Sequence, residues 1–201
     1  RMIVLVDDNA PDDVSFDSSD RNSCLAAIRK FAAGKGRVVT SLSLDGETIS
    51  EEAFLASTQG KELHVTTDSI RNLVSESLQE ASRYLPVLTA GLGRIADSLE
   101  REKVKDAVGS FRQASDGIDW LIHVLTHCQN LLGLKDSEIL DGKLDEVRNA
   151  LNARLKDVSA SLEAGKYFEL SFRLRNELIP ELEKLAPYTH SLGAFADGRV
   201  Q

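Results

Sequence analysis

Cysteine is scarce in this sequence of 201 residues. Its two cysteines, Cys24 and Cys128, stand far apart and form none of the close pairs that mark zinc-binding or redox motifs. A chain of this length with 42% hydrophobic residues can bury a core without disulfide bonds. We therefore expect both thiols to be buried in a protein of the reducing cytoplasm.

Long apolar runs are absent as well, since no stretch approaches the roughly 20 apolar residues of a membrane-spanning helix. The run that follows Met2 is IVLV, which is too short for the apolar core of a signal peptide. We expect Met2 to be the natural start of the chain, and we expect no membrane partner.

Positive charge is also in deficit, because the formal net charge is −8. Nucleic-acid-binding proteins carry basic patches, so this balance argues against DNA or RNA as a partner. Catalytic motifs are missing too. The sequence has no Gly-x-Ser-x-Gly, and the glycines of AAGKG at 32–36 lack the spacing of a phosphate-binding loop. We expect a protein that is not an enzyme and that needs no cofactor.

The first third of the chain has the pattern of a small sheet with one main helix. Asp20 or Ser23 can cap that helix, and Asp45-Gly46 is typical of a tight hairpin turn between two strands. The predicted strands are rich in β-branched residues or alternate between apolar and polar positions. They cover residues 2–6, 14–16, 37–44, 47–49 and 62–67.

This order of elements resembles the β-grasp fold of ubiquitin and the small sulphur-carrier proteins. The segments SLSLDGETIS and ELHVTT are similar to the second half of those carriers. The resemblance implies a fold for residues 1–68 and says little about function. The carriers act through a free C-terminal Gly-Gly, whereas here the last strand runs into Asp68 and a helix, so carrier chemistry is not implied.

The opening MIVLVDDNAPDD also resembles the start of response-regulator receiver domains. That resemblance implies that Asp7 and Asp8 bind magnesium, that Asp45 accepts a phosphoryl group, and that Thr66 or Thr67 supplies the switch hydroxyl. The chain departs from the receiver pattern because Asp45 precedes a glycine in a predicted turn and no strand–helix units follow Thr67. A degenerate receiver-like signalling domain is therefore one alternative function.

From Ile70 onward the apolar residues recur at helical spacing. Steps of four and three run without a break from Val74 to Leu99, which predicts a helix of about eight turns. A second helix follows over about 102–132. A third begins at a cap formed by Asp136 or Ser137, and Gly165 separates it from a fourth.

So short a connection makes the third and fourth helices an antiparallel hairpin. The residues after Pro187 are rich in glycine and alanine, which favours a frayed end. We therefore predict an α+β protein. It consists of a β-grasp-like segment over residues 1–68, a four-helix antiparallel array over 69–187 and a flexible tail over 188–201.

The second helix contains the stretch IDWLIHVLTHCQNLLGL at 118–134, which is apolar on two opposite sides. One side continues the main seam. The other side must be covered by the same monomer or by another chain, and a tryptophan in such a patch is a typical interface anchor. If another chain covers it, the simplest arrangement is a two-fold homodimer. The predicted partner-binding residues are Trp120, Val124, His127 and Leu131.

The best metal candidate is the set Asp119, His123 and His127, whose spacing of four places them along one side of the same helix. A tetrahedral zinc shell would be incomplete on this helix alone. The simpler interpretation is that Asp119 and His123 form a pair at the surface while His127 packs beside Trp120. We therefore expect no bound metal. A metal-dependent hydrolase built on these three residues is the enzymatic alternative.

The absence of any acid–base or nucleophile constellation, together with long amphipathic helices, favours a protein-interaction module. We expect a cytoplasmic adaptor or chaperone-like protein that binds a protein partner or a second copy of itself.

Overall fold

The computed structural model describes residues 2–11, 16–17 and 19–198. The chain divides into two compact units, residues 1–73 and residues 74–201. The first unit contains a sheet and the second consists of helices. The predicted α+β class is confirmed.

The first unit is built on a small mixed sheet of four strands in the order β1-β4-β2-β3. Strand β1 pairs with β4 in parallel, and the other neighbouring pairs are antiparallel. The parallel pair is possible because a long connection separates its strands. The strands are β1 (Ile3–Val6), β2 (Arg37–Leu44), β3 (Glu47–Ile49) and β4 (Glu62–Ser69).

Two local signals of the sequence determine how the elements of this unit begin and turn. The Asp20 carboxylate accepts hydrogen bonds from the N–H groups of Asn22 and Ser23, and so caps α1 (Arg21–Ala33) as predicted. The β2–β3 turn uses Asp45 and Gly46, both with positive φ, as predicted for a tight hairpin. A short helix, α2 (Glu51–Ala56), leads to β4.

The core of this unit lies between α1 and the sheet, with Phe54 of α2 fully buried in it. The predicted strand at 14–16 cannot be compared with the structure, because Val14 and Ser15 lie outside the described residues. Phe16 is buried but lies in no strand. A mixed four-stranded sheet is therefore established, and the β-grasp fold stays a prediction.

The second unit begins within α3 (Ile70–Glu100), followed by α4 (Val104–Leu132) and α5 (Leu144–Glu163). Gly133 ends α4 in the left-handed conformation, as the sequence predicts. The predicted seam of α3 is buried at every position. It consists of Val74, Leu78, Ala81, Leu85, Leu88, Leu92, Ile95 and Leu99.

The start of α5 differs from the prediction. Residues Asp136–Glu138 form a single 3₁₀ turn, and the α-helix begins only at Leu144. The Asp136 carboxylate nevertheless accepts a hydrogen bond of 2.8 Å from the N–H of Asp145 in the first turn of α5. Asp136 therefore does satisfy a helix N-terminus, but from outside the helix.

The predicted fourth helix is interrupted. It consists of α6 (Tyr167–Arg173), a π-helical turn (Leu174–Leu178), α7 (Ile179–Glu183) and α8 (Leu185–Ala196). Pro180 has no N–H, and its ring crowds the carbonyl group of Asn176, so the regular hydrogen bond between these two residues is lost. The N–H of Ile179 instead bonds to the carbonyl of Leu174, five residues earlier.

The predicted flexible tail is wrong for residues 188–196, which belong to α8. Tyr188, Leu192 and Ala196 stand four apart and are all buried, so this helix has an apolar face that packs against the rest of the unit. The prediction of a frayed end rested on the glycine and alanine content of these residues and overlooked the spacing of their apolar side chains. Residues 199–201 lie outside the described part of the chain.

Candidate functional site

The predicted partner-binding residues lie on α4 but do not form one exposed surface. Val124 is buried, Trp120 and Leu131 are half-buried, and His127 is exposed. The main seam on the other side of α4 is buried as expected, with Ile118 fully enclosed. Part of the tryptophan side is therefore already covered.

Tyr84 of α3 supplies much of that cover. Its ring meets the Trp120 ring edge to face, with 5.6 Å between the ring centroids and 89° between the planes. The phenol lies directly over Gly117, where an added Cβ would stand 1.8 Å from the Tyr84 oxygen. The missing side chain at Gly117 is what admits Tyr84 against α4. Binding of a partner by this face of α4 stays a prediction.

The metal candidates Asp119, His123 and His127 are exposed along one side of α4. The two imidazole rings lie parallel with 6.0 Å between their centroids. Within the described residues, no three or more His, Cys, Asp or Glu side chains are grouped closely enough to hold a metal ion. Spacing by four places these residues in a row rather than around a point. Asp119, His123 and His127 therefore do not form the metal site that the hydrolase alternative requires.

The receiver-like residues are divided between the two ends of β4. At one end the Asp7 carboxylate accepts hydrogen bonds from the backbone N–H of Thr67, at 2.9 Å, and from its hydroxyl, at 2.5 Å. At the other end Asp45 accepts the N–H groups of Glu62 and Lys61, each at 2.9 Å, and these bonds lower its pKa. Asp45 therefore stabilises a turn and shares no acidic pocket with Asp7.

The two cysteines are buried, as predicted. Burial raises the pKa of the Cys128 thiol to about 11, and it also raises the pKa of Cys24. Both thiols are therefore protonated at neutral pH and are poor nucleophiles.

Sequence reasoning missed a cavity of about 420 Å³ in the second unit, between the start of α5 and the α7–α8 junction. Val147, Ala150 and Pro187 give it an apolar wall, while Glu181 and Tyr188 contribute polar atoms. The cavity is formed by two stretches that are distant in sequence, residues 140–150 and 181–188. Only the buried Tyr188 and Glu181, read as parts of helices, could have hinted at it.

Tyr188 and Asp141 form the best-defined polar contact of this cavity. The Tyr188 hydroxyl donates a hydrogen bond of 2.6 Å to an Asp141 carboxylate oxygen. Burial, together with this acceptor, raises the pKa of Tyr188 from its ordinary 10.0 to about 12. The same bond is the main reason that the pKa of Asp141 is lowered. The pair is thus a neutral phenol and a carboxylate across a wide pH range.

Leu140 stands at the rim of the cavity in an unfavourable conformation. Its φ is +47°, in the left-handed region that a branched apolar residue rarely adopts, and its side chain is 57% exposed. Strain of this kind is concentrated at functional sites in proteins.

A second feature that sequence reasoning missed is a pair of exposed aromatic residues on α6. Phe168 is 72% exposed and Phe172 is 60% exposed. We call these two residues the aromatic patch. They lie off the seam of Tyr167, Leu170 and Leu174, so a helical projection of the sequence would have revealed them.

Replacing Gly117 with Ala should expel Tyr84 from its position over α4. We expect a net loss of roughly 1–2 kcal/mol in the free energy of unfolding, because the clash outweighs the gain in helix propensity. Gly109→Ala is the matched control on the same helix, since an added Cβ there meets nothing within 4 Å. Urea unfolding and the emission of Trp120, the sole tryptophan, provide the measurements. A Gly117→Ala protein with unchanged stability and emission would contradict this packing.

The Tyr188–Asp141 bond predicts a stability change at high pH. The folded-state pKa of Tyr188 lies above its unfolded value, so its contribution is fully present below pH 10 and is lost as the pH rises towards 12. We expect the wild-type protein to lose stability in this window more steeply than Tyr188→Phe. Thermal unfolding at a series of pH values measures the difference. Parallel curves for the two proteins would show that the pKa of Tyr188 is not raised.

No helix among the described residues is both long enough and apolar enough to cross a membrane. A family model described as a domain of unknown function, DUF8042, matches residues 76–187. This match covers more than half of the chain and includes the Tyr84–Trp120 contact, the aromatic patch and Glu181. No curated protein and no solved structure matches the chain. The chain belongs to the DUF8042 family.

Proposed function

We propose that this protein is a non-enzymatic protein–protein interaction module of the adaptor or chaperone-like kind, and that it acts in the cytoplasm. The observation that carries the proposal is the aromatic patch, because two phenylalanines exposed side by side are costly to leave in water. Exposed apolar patches on soluble domains mark interaction sites.

Phe168 and Phe172 lie on one side of α6 because they are four residues apart. The opposite side of the helix is fixed in the core by Leu170, and by Leu174 directly after the helix. The aromatic rings are therefore presented by a helix that is held in place, which lowers the entropic cost of binding.

Polar contacts with the end of α3 also hold this helix. The Ser171 hydroxyl donates a hydrogen bond of 2.6 Å to Glu100, and Arg175 forms ion pairs with Glu100 and Asp97. Exposed ion pairs contribute little to stability singly, so we assign this group an orienting role. It fixes the direction in which the aromatic patch points.

A second copy of the chain is the occupant that fits this patch best. Under a two-fold axis with the α6 helices antiparallel, Phe168 of one protomer meets Phe172 of the other, and the contact occurs twice. Four partly exposed rings would bury roughly 400–700 Å². A stable interface buries about 1,200–2,000 Å², so the rings can form only its centre and the dimer should be reversible.

For the first unit we propose a β-grasp variant. The order of strand, helix, strand, short strand and strand in β1, α1, β2, β3 and β4 supports it. The further strand of a β-grasp fold is predicted at residues 14–16, where Val14 and Ser15 lie outside the described part of the chain and Phe16 lies in no strand.

Replacing both Phe168 and Phe172 with Ala should abolish self-association without unfolding the chain. The two side chains are mostly exposed, so the melting temperature should change little. Val87→Ala is the matched control, because Val87 is 60% exposed on α3 and lies outside the patch. Sedimentation velocity over a range of concentrations should show a reversible dimer for the wild type and the control, and a monomer for the double variant.

The same three proteins distinguish self-association from binding to a different partner. If the wild type stays monomeric but captures a protein that the double variant does not capture, the patch serves another partner. If the wild type is monomeric and its captured proteins do not depend on the patch, the proposed function is wrong.

A further inference from the structure

We propose that the cavity between α5 and the α7–α8 junction binds an organic cation, an ammonium or guanidinium group carried on an apolar chain. This site does not depend on the aromatic patch, and the proposal stands on the cavity's own residues. The carboxylate of Glu181 would bind the cationic group, and the apolar wall would cover its chain.

Glu181 is a carboxylate in an unusual position. The residue is only 8% exposed, and its Oε2 atom is buried and accepts no hydrogen bond from the residues that the structure describes. An ionised group that is removed from water needs a partner of opposite charge and hydrogen-bond donors to satisfy its oxygens. The Oε2 atom of Glu181 therefore has an ion-pair partner but no well-formed hydrogen bond, which a ligand cation could supply.

The partner that Glu181 does have is the chain's own ammonium group. Nζ of Lys184 lies 3.1 Å from Oε2 in an ion pair and donates a hydrogen bond of 3.3 Å to Oε1. The Lys184 side chain is 59% exposed, so it reaches the carboxylate from the solvent side. A partly exposed pair of this type is weak. A cation from solution can therefore take the place of Lys184 while the lysine turns back into water.

The walls of the cavity specify the rest of the ligand. Val147, Ala150 and Pro187 present carbon atoms, and the volume of about 420 Å³ lies in the range of small-ligand pockets. The strained Leu140 adds an exposed apolar side chain at the rim. A bare metal ion would leave this surface unused, whereas an aliphatic chain would cover it.

The charge around the cavity favours a cation over an anion. Three carboxylates line it, those of Asp141, Glu146 and Glu181, against the two ammonium groups of Lys143 and Lys184. Asp141 is held in its ionised form by the hydrogen bond from Tyr188. The most deeply buried charge is negative, and both lysines lie towards the solvent.

Isothermal titration calorimetry with agmatine, which carries a guanidinium and an ammonium on an aliphatic chain, tests the proposal. We expect saturable binding to one site on the intact protein. Glu181→Gln keeps the shape of the side chain but removes its charge, and it should weaken binding about tenfold or more. Glu183→Gln is the matched control, since Glu183 is exposed on the same helix and does not line the cavity. Equal affinities in these two variants would overturn the proposal.

A second variant gives a readout that a purely structural role of Glu181 would not produce. Lys184→Met removes the internal competitor and should bind agmatine about two- to fivefold more tightly. Weaker binding by this variant, or saturable binding of glutarate in place of agmatine, would show that the site does not select cations.

The two possible sources of the cation are distinguished by a third titration. An acetylated, amidated Gly-Arg-Gly peptide presents the same guanidinium as a protein side chain. Tighter binding of agmatine would assign a small molecule, and tighter binding of the peptide would assign an arginine of a protein partner. Both results support the shared chemistry, and failure of both probes to bind overturns it.

Discussion

The apolar seam of α3 is the constraint on which the rest of the second unit depends. From Val74 to Leu99 every seam position is buried, and each leucine that is fully buried contributes about 1.5–3 kcal/mol relative to water. A helix of this length cannot bury such a stripe alone, so other helices must cover it. Tyr84 meets Trp120 of α4, and Ser171 of α6 reaches the Ala96 carbonyl, which shows how two of the covering helices are aligned with α3.

The candidate surfaces follow from how that cover is arranged. Leu170 of α6 and Leu174 of the π turn pack inward, and Arg175 of that turn pairs with the end of α3. The remaining side of α6 therefore carries Phe168 and Phe172 outward. The cavity has a comparable origin. It lies where the turn before α5 meets the α7–α8 junction, and close packing of regular helices does not fill such a junction. The family match covers the aromatic patch and all the residues that line the cavity except Tyr188, which follows the last matched residue.

Periodicity and turn chemistry made most of the fold predictable, since the α3 seam, the Gly133 stop and the Asp45-Gly46 turn are local signals. The start of α5 was not predictable, because Asp136 satisfies the N–H of Asp145 across an intervening turn. The sites depend on contacts between distant residues. The double-sided apolar pattern of α4 indicated that Trp120 needs cover, but only the fold shows that Tyr84 fits over Gly117. Glu181 likewise looks like an ordinary helical glutamate in the sequence, and only the fold brings residues 140–150 beside it.

The buried leucines around the π turn depart from regular helical spacing in the sequence itself. The seam of α3 alternates steps of four and three, which average close to the 3.6 residues of an α-helical turn. Leu170, Leu174, Leu178 and Leu182 instead follow three successive steps of four. In a regular helix each such step drifts by about 40°, so the last leucine would turn roughly 120° away from the core.

All four of these leucines are nevertheless buried. The wider π turn at Leu174–Leu178 absorbs the drift, and Pro180, which has no N–H, follows this turn closely. The unbroken series of four-residue steps therefore matches the π segment, and all four leucines stay buried. The π turn thus keeps these leucines on one buried seam, which runs from α6 with the aromatic patch to α7 with Glu181.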